Sequence, residues 1–131
     1  MINQKIIKLK KIINSNGKLI ILEKSKKINL NYKRFFTIFS NKKSIRGKHA
    51  HKKCYQILIC LNGKIEVNCE LKNKKKFTFM LNKPDQALII YPMTWCIQKY
   101  KKNNSILFVA CNDLFSENDY IRDYKKFLNH K

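Results

Sequence analysis

The stretch IRGKHAHKK, residues 45 to 53, carries two of the chain's three histidines one residue apart, directly behind an Arg-Gly pair. Histidine is the side chain whose ordinary pKa, about 6.5, lets it take up and return a proton near neutral pH. If residues 49 to 51 are extended, His49 and His51 point to the same face of a strand, because side chains alternate with a period of two. Two imidazoles then share one pocket wall. Of the 29 basic residues only Arg34, Arg46 and Arg122 are arginine, and Arg46 stands three residues before His49. A guanidinium offers phosphate a planar bidentate fork that lysine cannot imitate. A proton-transfer group and an anion-holding group therefore lie on one short stretch.

Five residues after His51 comes Gln56, and seven after that comes Gly63. This spacing resembles the first sequence motif of the cupin superfamily, small β-barrels whose metal-binding members carry Glu where this chain has Gln56. A divalent metal wants anionic oxygen or several imidazoles, and Gln is a neutral, weaker ligand. In YPMTWC (91 to 96) the chain has Cys96 where metal-binding cupins present another histidine. His49, His51, Gln56 and Cys96 form the one set that could hold zinc, but the pattern reads as a cupin pocket without metal or other cofactor. Surface histidines in a basic loop are the plain alternative, and the adjacent arginine weighs against it.

The elements that must position these residues are short. Apolar runs recur between turn signals: KIIKL (5 to 9), KLIILE (18 to 23), KRFFTIF (33 to 39), YQILICL (55 to 61), KIEVNCEL (64 to 71), KFTFML (76 to 81), ALIIY (87 to 91) and ILFVAC (106 to 111). They are rich in β-branched and aromatic residues, as strands are. Asn62-Gly63, between YQILICL and KIEVNCEL, predicts a tight hairpin turn. In SENDYIRDYKKFLNHK, Tyr120, Tyr124, Phe127 and Leu128 fall at helical spacing after Ser116, a candidate N-cap. The expected fold is mainly β: a cupin-type jelly-roll barrel with a short C-terminal helix, one domain over 1–131. The Trp95 and Tyr91 rings are candidates for the pocket or for core packing. Cys54, Cys60, Cys69 and Cys111 suit small buried fillers, Tyr120 and Tyr124 suit helix-to-barrel packing, and Arg122 suits either a phosphate contact or, preferably, a pair with Asp119 or Asp123.

A formal net charge of +21 points to a polyanionic partner: nucleic acid, an acidic membrane surface or a phosphorylated small molecule. The lysines are spread along the whole chain, which fits a solvated surface better than one binding patch. No nucleic-acid motif with interleaved aromatics is present. Five cysteines, odd in number and without a C-x-x-C, fit a reduced intracellular protein. The N-terminal MINQKIIKLKKII breaks its apolar residues with lysine too often for a signal peptide, and no apolar run approaches the ~20 residues needed to cross a bilayer. The expectation is a cytoplasmic protein that engages neither nucleic acid nor membrane.

Taken together, KRFFTIF, RGKHAHKK (46 to 53), QILICLNG (56 to 63), the Trp95 region and SENDYIRDYKKF (116 to 127) resemble the sugar 3,4-ketoisomerases acting on dTDP-4-keto-6-deoxyglucose. The resemblance spans nearly the whole chain, and all three arginines fall inside it. It implies a homodimer without metal that moves the ketone of a dTDP-linked keto sugar from C4 to C3, with His49 as proton shuttle and His51 beside it. Arg46 and Arg34 would hold the diphosphate. Phe36 and Thr37 stand where relatives usually carry two tyrosines, so the phenol expected near the sugar is missing. Cys96 stands where relatives often carry a basic residue, and Asn16 where they carry a large or charged one. These positions, with Gln56, Phe36 and Trp95, are the further candidates for substrate contact. The chemistry agrees with the residues: a 4-keto group acidifies the C3 hydrogen, a base removes it to give an enediolate, and reprotonation at C4 leaves the ketone at C3. A 3,5-epimerase of the same substrate and a basic nucleic-acid-binding module are the alternatives.

Overall fold

The computed structural model describes residues 5–131; the first four residues of MINQKIIKLKKII lie outside them. Among the described residues twelve strands occur in chain order: β1 (Lys5–Lys8), β2 (Lys10–Asn14), β3 (Gly17–Ile21), β4 (Arg34–Ser40), β5 (Ser44–His51), β6 (Gln56–Asn62), β7 (Ile65–Leu71), β8 (Lys76–Leu81), β9 (Gln86–Ile90), β10 (Thr94–Tyr100), β11 (Ser105–Cys111) and β12 (Tyr120–Ile121). A six-residue helix, α1 (Tyr124–Asn129), follows. One five-stranded sheet has the order β1-β9-β6-β11-β4, the other β12-β5-β10-β7-β8, and β2-β3 forms a separate hairpin. All pairings are antiparallel. Among the described residues no helix is long and apolar enough to cross a membrane.

Alternation along the strands builds the interior. Leu107, Val109 and Cys111 of β11 and Leu58 and Cys60 of β6 face Ile65, Val67 and Cys69 of β7 and Cys96 and Tyr100 of β10, all buried between the sheets. The opposite face of β6, Ile57 and Ile59, packs with Ile7, Leu9, Ile28 and Ile89 beneath the segment that joins β3 to β4. Covered on both faces, β6 reads as the unbroken run QILIC rather than an alternation. Two antiparallel sheets over one core, plus a short terminal helix, give the jelly roll expected from the sequence.

Two local expectations are corrected. Asn62-Gly63 closes no hairpin, because β6 and β7 belong to different sheets. Gly63 does adopt the left-handed backbone, with φ of 88°, and a Cβ there would collide with Ser105. The residue pair marks the bend correctly, but in a jelly roll the bend carries the chain from one sheet to the other. The helix is also shorter than the spacing predicts. Ser116 makes no side-chain cap bond and precedes only a 3-10 turn at Glu117–Asp119. Tyr120 and Ile121 then pair with His51 and Ala50 at the edge of β5. Asp123 is the actual N-cap of α1, accepting from the Lys126 N–H at 2.9 Å. The open edge of β5 supplies backbone partners for these two residues in place of a first helical turn.

Candidate active site

A regular strand would turn Arg46 and His49 to opposite faces, since they are three residues apart. The pairing of β5 with β10 sets Gln98 opposite Arg46, Ile97 opposite Gly47 and Cys96 opposite His49, which leaves Lys48 as an extra residue. This is a β-bulge. Gly47 and Lys48 both take positive φ, 91° and 60°, and a Cβ on Gly47 would sit 2.7 Å from the Cys96 carbonyl oxygen. The bulge shifts the alternation by one, so Arg46 and His49 line the same cavity of about 240 Å³. Phe36 and Ile38 of β4, Gln56 of β6, Gln98 of β10, and Tyr120 and Arg122 complete its wall.

The two imidazoles stand together, His49 in the cavity wall and His51 behind it. Their ring centroids are 5.1 Å apart, edge to face, and the Tyr120 ring covers both, at 4.9 Å from His49 and 4.3 Å from His51. His51 Nδ1 lies 2.9 Å from Asp119 Oδ2, while Asp119 Oδ1 accepts the Lys53 backbone N–H at 2.7 Å. His49 Nδ1 and His51 Nε2 are buried with no protein partner. Burial first, then the neighbouring His51, pulls the His49 pKa from 6.5 down to about 4. Burial likewise lowers that of His51, against the opposing pull of the Asp119 hydrogen bond and charge. Both rings are therefore neutral near pH 7, the form that accepts a proton.

Arg34 lies close enough to act on His51 but not in the cavity wall. Its guanidinium carbon sits 5.5 Å from the Phe36 ring and 5.6 Å from Phe115, and Nη2 is 3.5 Å from Cys111 Sγ. Burial works against its charge, but Cys111 and the Tyr120 hydroxyl outweigh it and raise its pKa. The Gln56 amide nitrogen also reaches Cys111 Sγ, at 3.5 Å. Hydrogen bonds from Cys54, Gln56 and Arg34 hold the Cys111 thiol below its ordinary pKa against the effect of burial.

Among the sequence candidates, Arg46, His49, Gln56 and Phe36 meet at the cavity, with His51 directly behind. Trp95 does not line it: on the outer face of β10 it packs against Tyr124 and Phe127 of α1 at 5.4 and 5.6 Å, in a cluster with Ala50 and Ile121. Cys96 stands opposite His49 but is turned into the core beside Cys69. Asn16 is exposed in the β2-β3 turn, its N–H bonded to Asn14 Oδ1 at 2.9 Å, outside the cavity wall. The proposed zinc set does not converge. Donor atoms of His51, Cys54 and Asp119 do lie within 4.8 Å of one another, yet both Asp119 oxygens are already engaged. All five cysteines are free and buried, as expected of Cys54, Cys60, Cys69 and Cys111 but not of Cys96. Tyr91 meets Tyr55 edge to face at 5.5 Å on the outer side of the first sheet, away from the histidines.

Three contributors escaped the sequence reading, and a fourth, Arg122, reaches the cavity as its less favoured reading had it. Tyr120 is a lid on the imidazoles, not helix packing. Asp119 binds His51. Gln98 lines the cavity and accepts from the Tyr100 hydroxyl at 2.9 Å. Arg122 lines it too, stacked 4.2 Å over Tyr120, and pairs with Glu117 through two nitrogens at 2.7 and 3.0 Å rather than with either aspartate. The clue was the segment DYIR itself, whose period-two strand character was overridden by its helical spacing.

The family described as FdtA: WxcM-like, C-terminal matches residues 2–131. A TDP-4-oxo-6-deoxy-alpha-D-glucose-3,4-oxoisomerase from Aneurinibacillus thermoaerophilus is 36% identical over 127 residues, 96% of this chain and 91% of the relative. QdtA, a sugar 3,4-ketoisomerase from Thermoanaerobacterium thermosaccharolyticum solved in complex with TDP, superimposes with a TM-score of 0.90 at 32% identity, covering 97% of this chain and 93% of that one. Likeness of fold alone extends to the rmlC epimerase of Mycobacterium tuberculosis, with a TM-score of 0.79 at 11% identity over 89% of this chain and 66% of that one.

Proposed function

This chain belongs to the FdtA family (WxcM-like, C-terminal), and from that membership we propose that it is the isomerase converting dTDP-4-keto-6-deoxy-D-glucose to a dTDP-3-keto-6-deoxyhexose. A relative of 36% identity carries out the 3,4-oxoisomerisation of that sugar nucleotide, and another of 32% identity binds TDP. The 3,5-epimerase alternative has only a likeness of fold, at 11% identity.

The observation that carries the reading is a neutral imidazole, His49, with an unengaged buried nitrogen, on the same cavity wall as Arg46. His49 removes the C3 proton and, after exchange of that proton with solvent, delivers one to C4. A placed base of this kind contributes about 10²–10⁴-fold. Arg46 and Arg122 hold the diphosphate at the cavity mouth, and Arg34 supplies positive charge close by. The negative enediolate oxygen needs a donor near it. The Tyr120 hydroxyl serves, bringing from β12 the phenol that Phe36 does not provide. Isomerisation in heavy water, followed by NMR, tests the assignment: a new 3-keto sugar with deuterium at C4 is expected. Exchange at C3 and C5 with the ketone left at C4 would mark an epimerase, and no change of any kind would reject both.

The product is the substrate for transamination at C3, which places the enzyme in deoxyamino-sugar synthesis for a surface glycan. The odd cysteine count and the unjoined neighbours Cys69 and Cys96 suit the reducing cytoplasm. The working unit is a homodimer of single cupin domains, for which the unpaired β2-β3 hairpin and the bare edge strand β4 offer the contact surface. Its charge serves the nucleotide sugar and not nucleic acid.

A further inference from the structure

We propose that Asp119 is a positioning residue of the isomerisation: it fixes His51 as the Nδ1–H tautomer, so that the His51 Nε2 lone pair handles the oxygen-bound proton while His49 handles the carbon-bound one. The inference deepens the ketoisomerase reading and rests on it. Moving a ketone from C4 to C3 requires two proton transfers, one from C3 to C4 and one from the C3 hydroxyl to the C4 oxygen. The site holds two imidazoles in different settings. His49 has no carboxylate partner, and its Nδ1 is free. His51 is 5% exposed, its Nδ1 is 2.9 Å from Asp119 Oδ2, and its Nε2 is left without a partner.

Asp119 is itself locked. Its Oδ1 accepts the Lys53 N–H at 2.7 Å and the Lys52 N–H donates to its carbonyl oxygen at 2.8 Å, so β5 and the 3-10 turn hold the carboxylate in one orientation. A carboxylate can only accept, so the His51 nitrogen facing it must carry the hydrogen and Nε2 must be bare. The other groups acting on His51 are cationic or neutral. Arg34 and Arg122 disfavour its charged form, the rings of His49 and Tyr120 contact it, and Cys54 lies nearby. The Asp119 carboxylate is the anion that makes a second accepting imidazole tenable among these cations.

Asp119→Asn keeps the shape but has one acceptor. The Lys53 N–H claims it, the amide NH₂ then faces His51 Nδ1, and the tautomer reverses. Imidazole ¹⁵N NMR of the wild-type protein should show His51 protonated at Nδ1 and bare at Nε2, and the variant should show the opposite. Kinetically, D119N should lose about 10²-fold in kcat with KM for the dTDP sugar within about 3-fold. Exchange of the C3 hydrogen with heavy water, which needs His49 alone, should fall by less than about 10-fold, so that exchange outruns isomerisation. A wild-type His51 protonated at Nε2 would overturn the proposal, as would equal losses of exchange and isomerisation in the variant. Should D119N not fold, the wild-type tautomer decides. If the wild-type protein neither isomerises nor exchanges, the ketoisomerase reading falls, while the tautomer still reports on Asp119.

Discussion

His49 is where chemistry and stability meet. Replacing it with Asn removes the group proposed to carry the C3 proton, and turnover should fall about 10²–10⁴-fold while the circular dichroism spectrum is retained. The same burial that keeps it neutral makes it a liability in acid. Its folded-state pKa, about 4 against 6.5, means that the unfolded chain binds the extra proton first. Stability is therefore full above pH 6.5 and declines as the pH falls toward 4. Between pH 7 and pH 5 urea unfolding should lose about 2 kcal/mol on this account, and His51, shifted in the same direction, adds to the loss. In H49N the slope should be visibly shallower. At this scale the sequence was most legible: H-x-H on a strand meant two imidazoles on one face, and so it is. Asp119 was not legible as the partner of His51, because 68 residues separate the two.

Among the elements, the bulge in β5 decides whether Arg46 and His49 serve one substrate. Gly47→Ala must fit a Cβ against the Cys96 carbonyl at φ of 91°, which should cost about 1–3 kcal/mol in chemical denaturation. Activity should fall further than stability explains, because relaxing the bulge turns one of the two side chains away. At the other end of the chain, Asp123→Ala removes the N-cap of α1 and should cost about 1 kcal/mol. The Phe127 it anchors is fully buried against Trp95. Strand runs were readable from alternation and β-branching, whereas β12 was not. Tyr120, Tyr124 and Phe127 repeat at a helical period, and only the vacant edge of β5 explains why the first of them is extended.

For the molecule as a whole, the exposed apolar groups argue for a second copy. Ile13 on the β2-β3 hairpin and Phe39 on the edge strand β4 are each 68% exposed, and neither strand of the hairpin joins a barrel sheet. Light scattering should give the mass of a dimer, and the double variant Ile13→Lys with Phe39→Lys should shift it toward 15.7 kDa. An unchanged mass in that variant would place the interface elsewhere. Asn16, at the tip of the same hairpin, lies outside this chain's own cavity, so a substrate contact from it would require the proposed dimer.

The amino-acid sequence alone determined the strand-rich class, the pair of imidazoles, the arginine beside them and the family they resemble, because all of these rest on residue type and on spacings of a few positions. Tertiary structure decided which sheet each strand joined, that Asn62-Gly63 bends between sheets, that Trp95 and Cys96 face away from the cavity, and that Asp119, Tyr120 and Gln98 belong to the site. Those outcomes depend on pairing registers and on contacts between residues dozens of positions apart. A side chain's local period says which face it takes, and only the closed barrel says what that face looks onto.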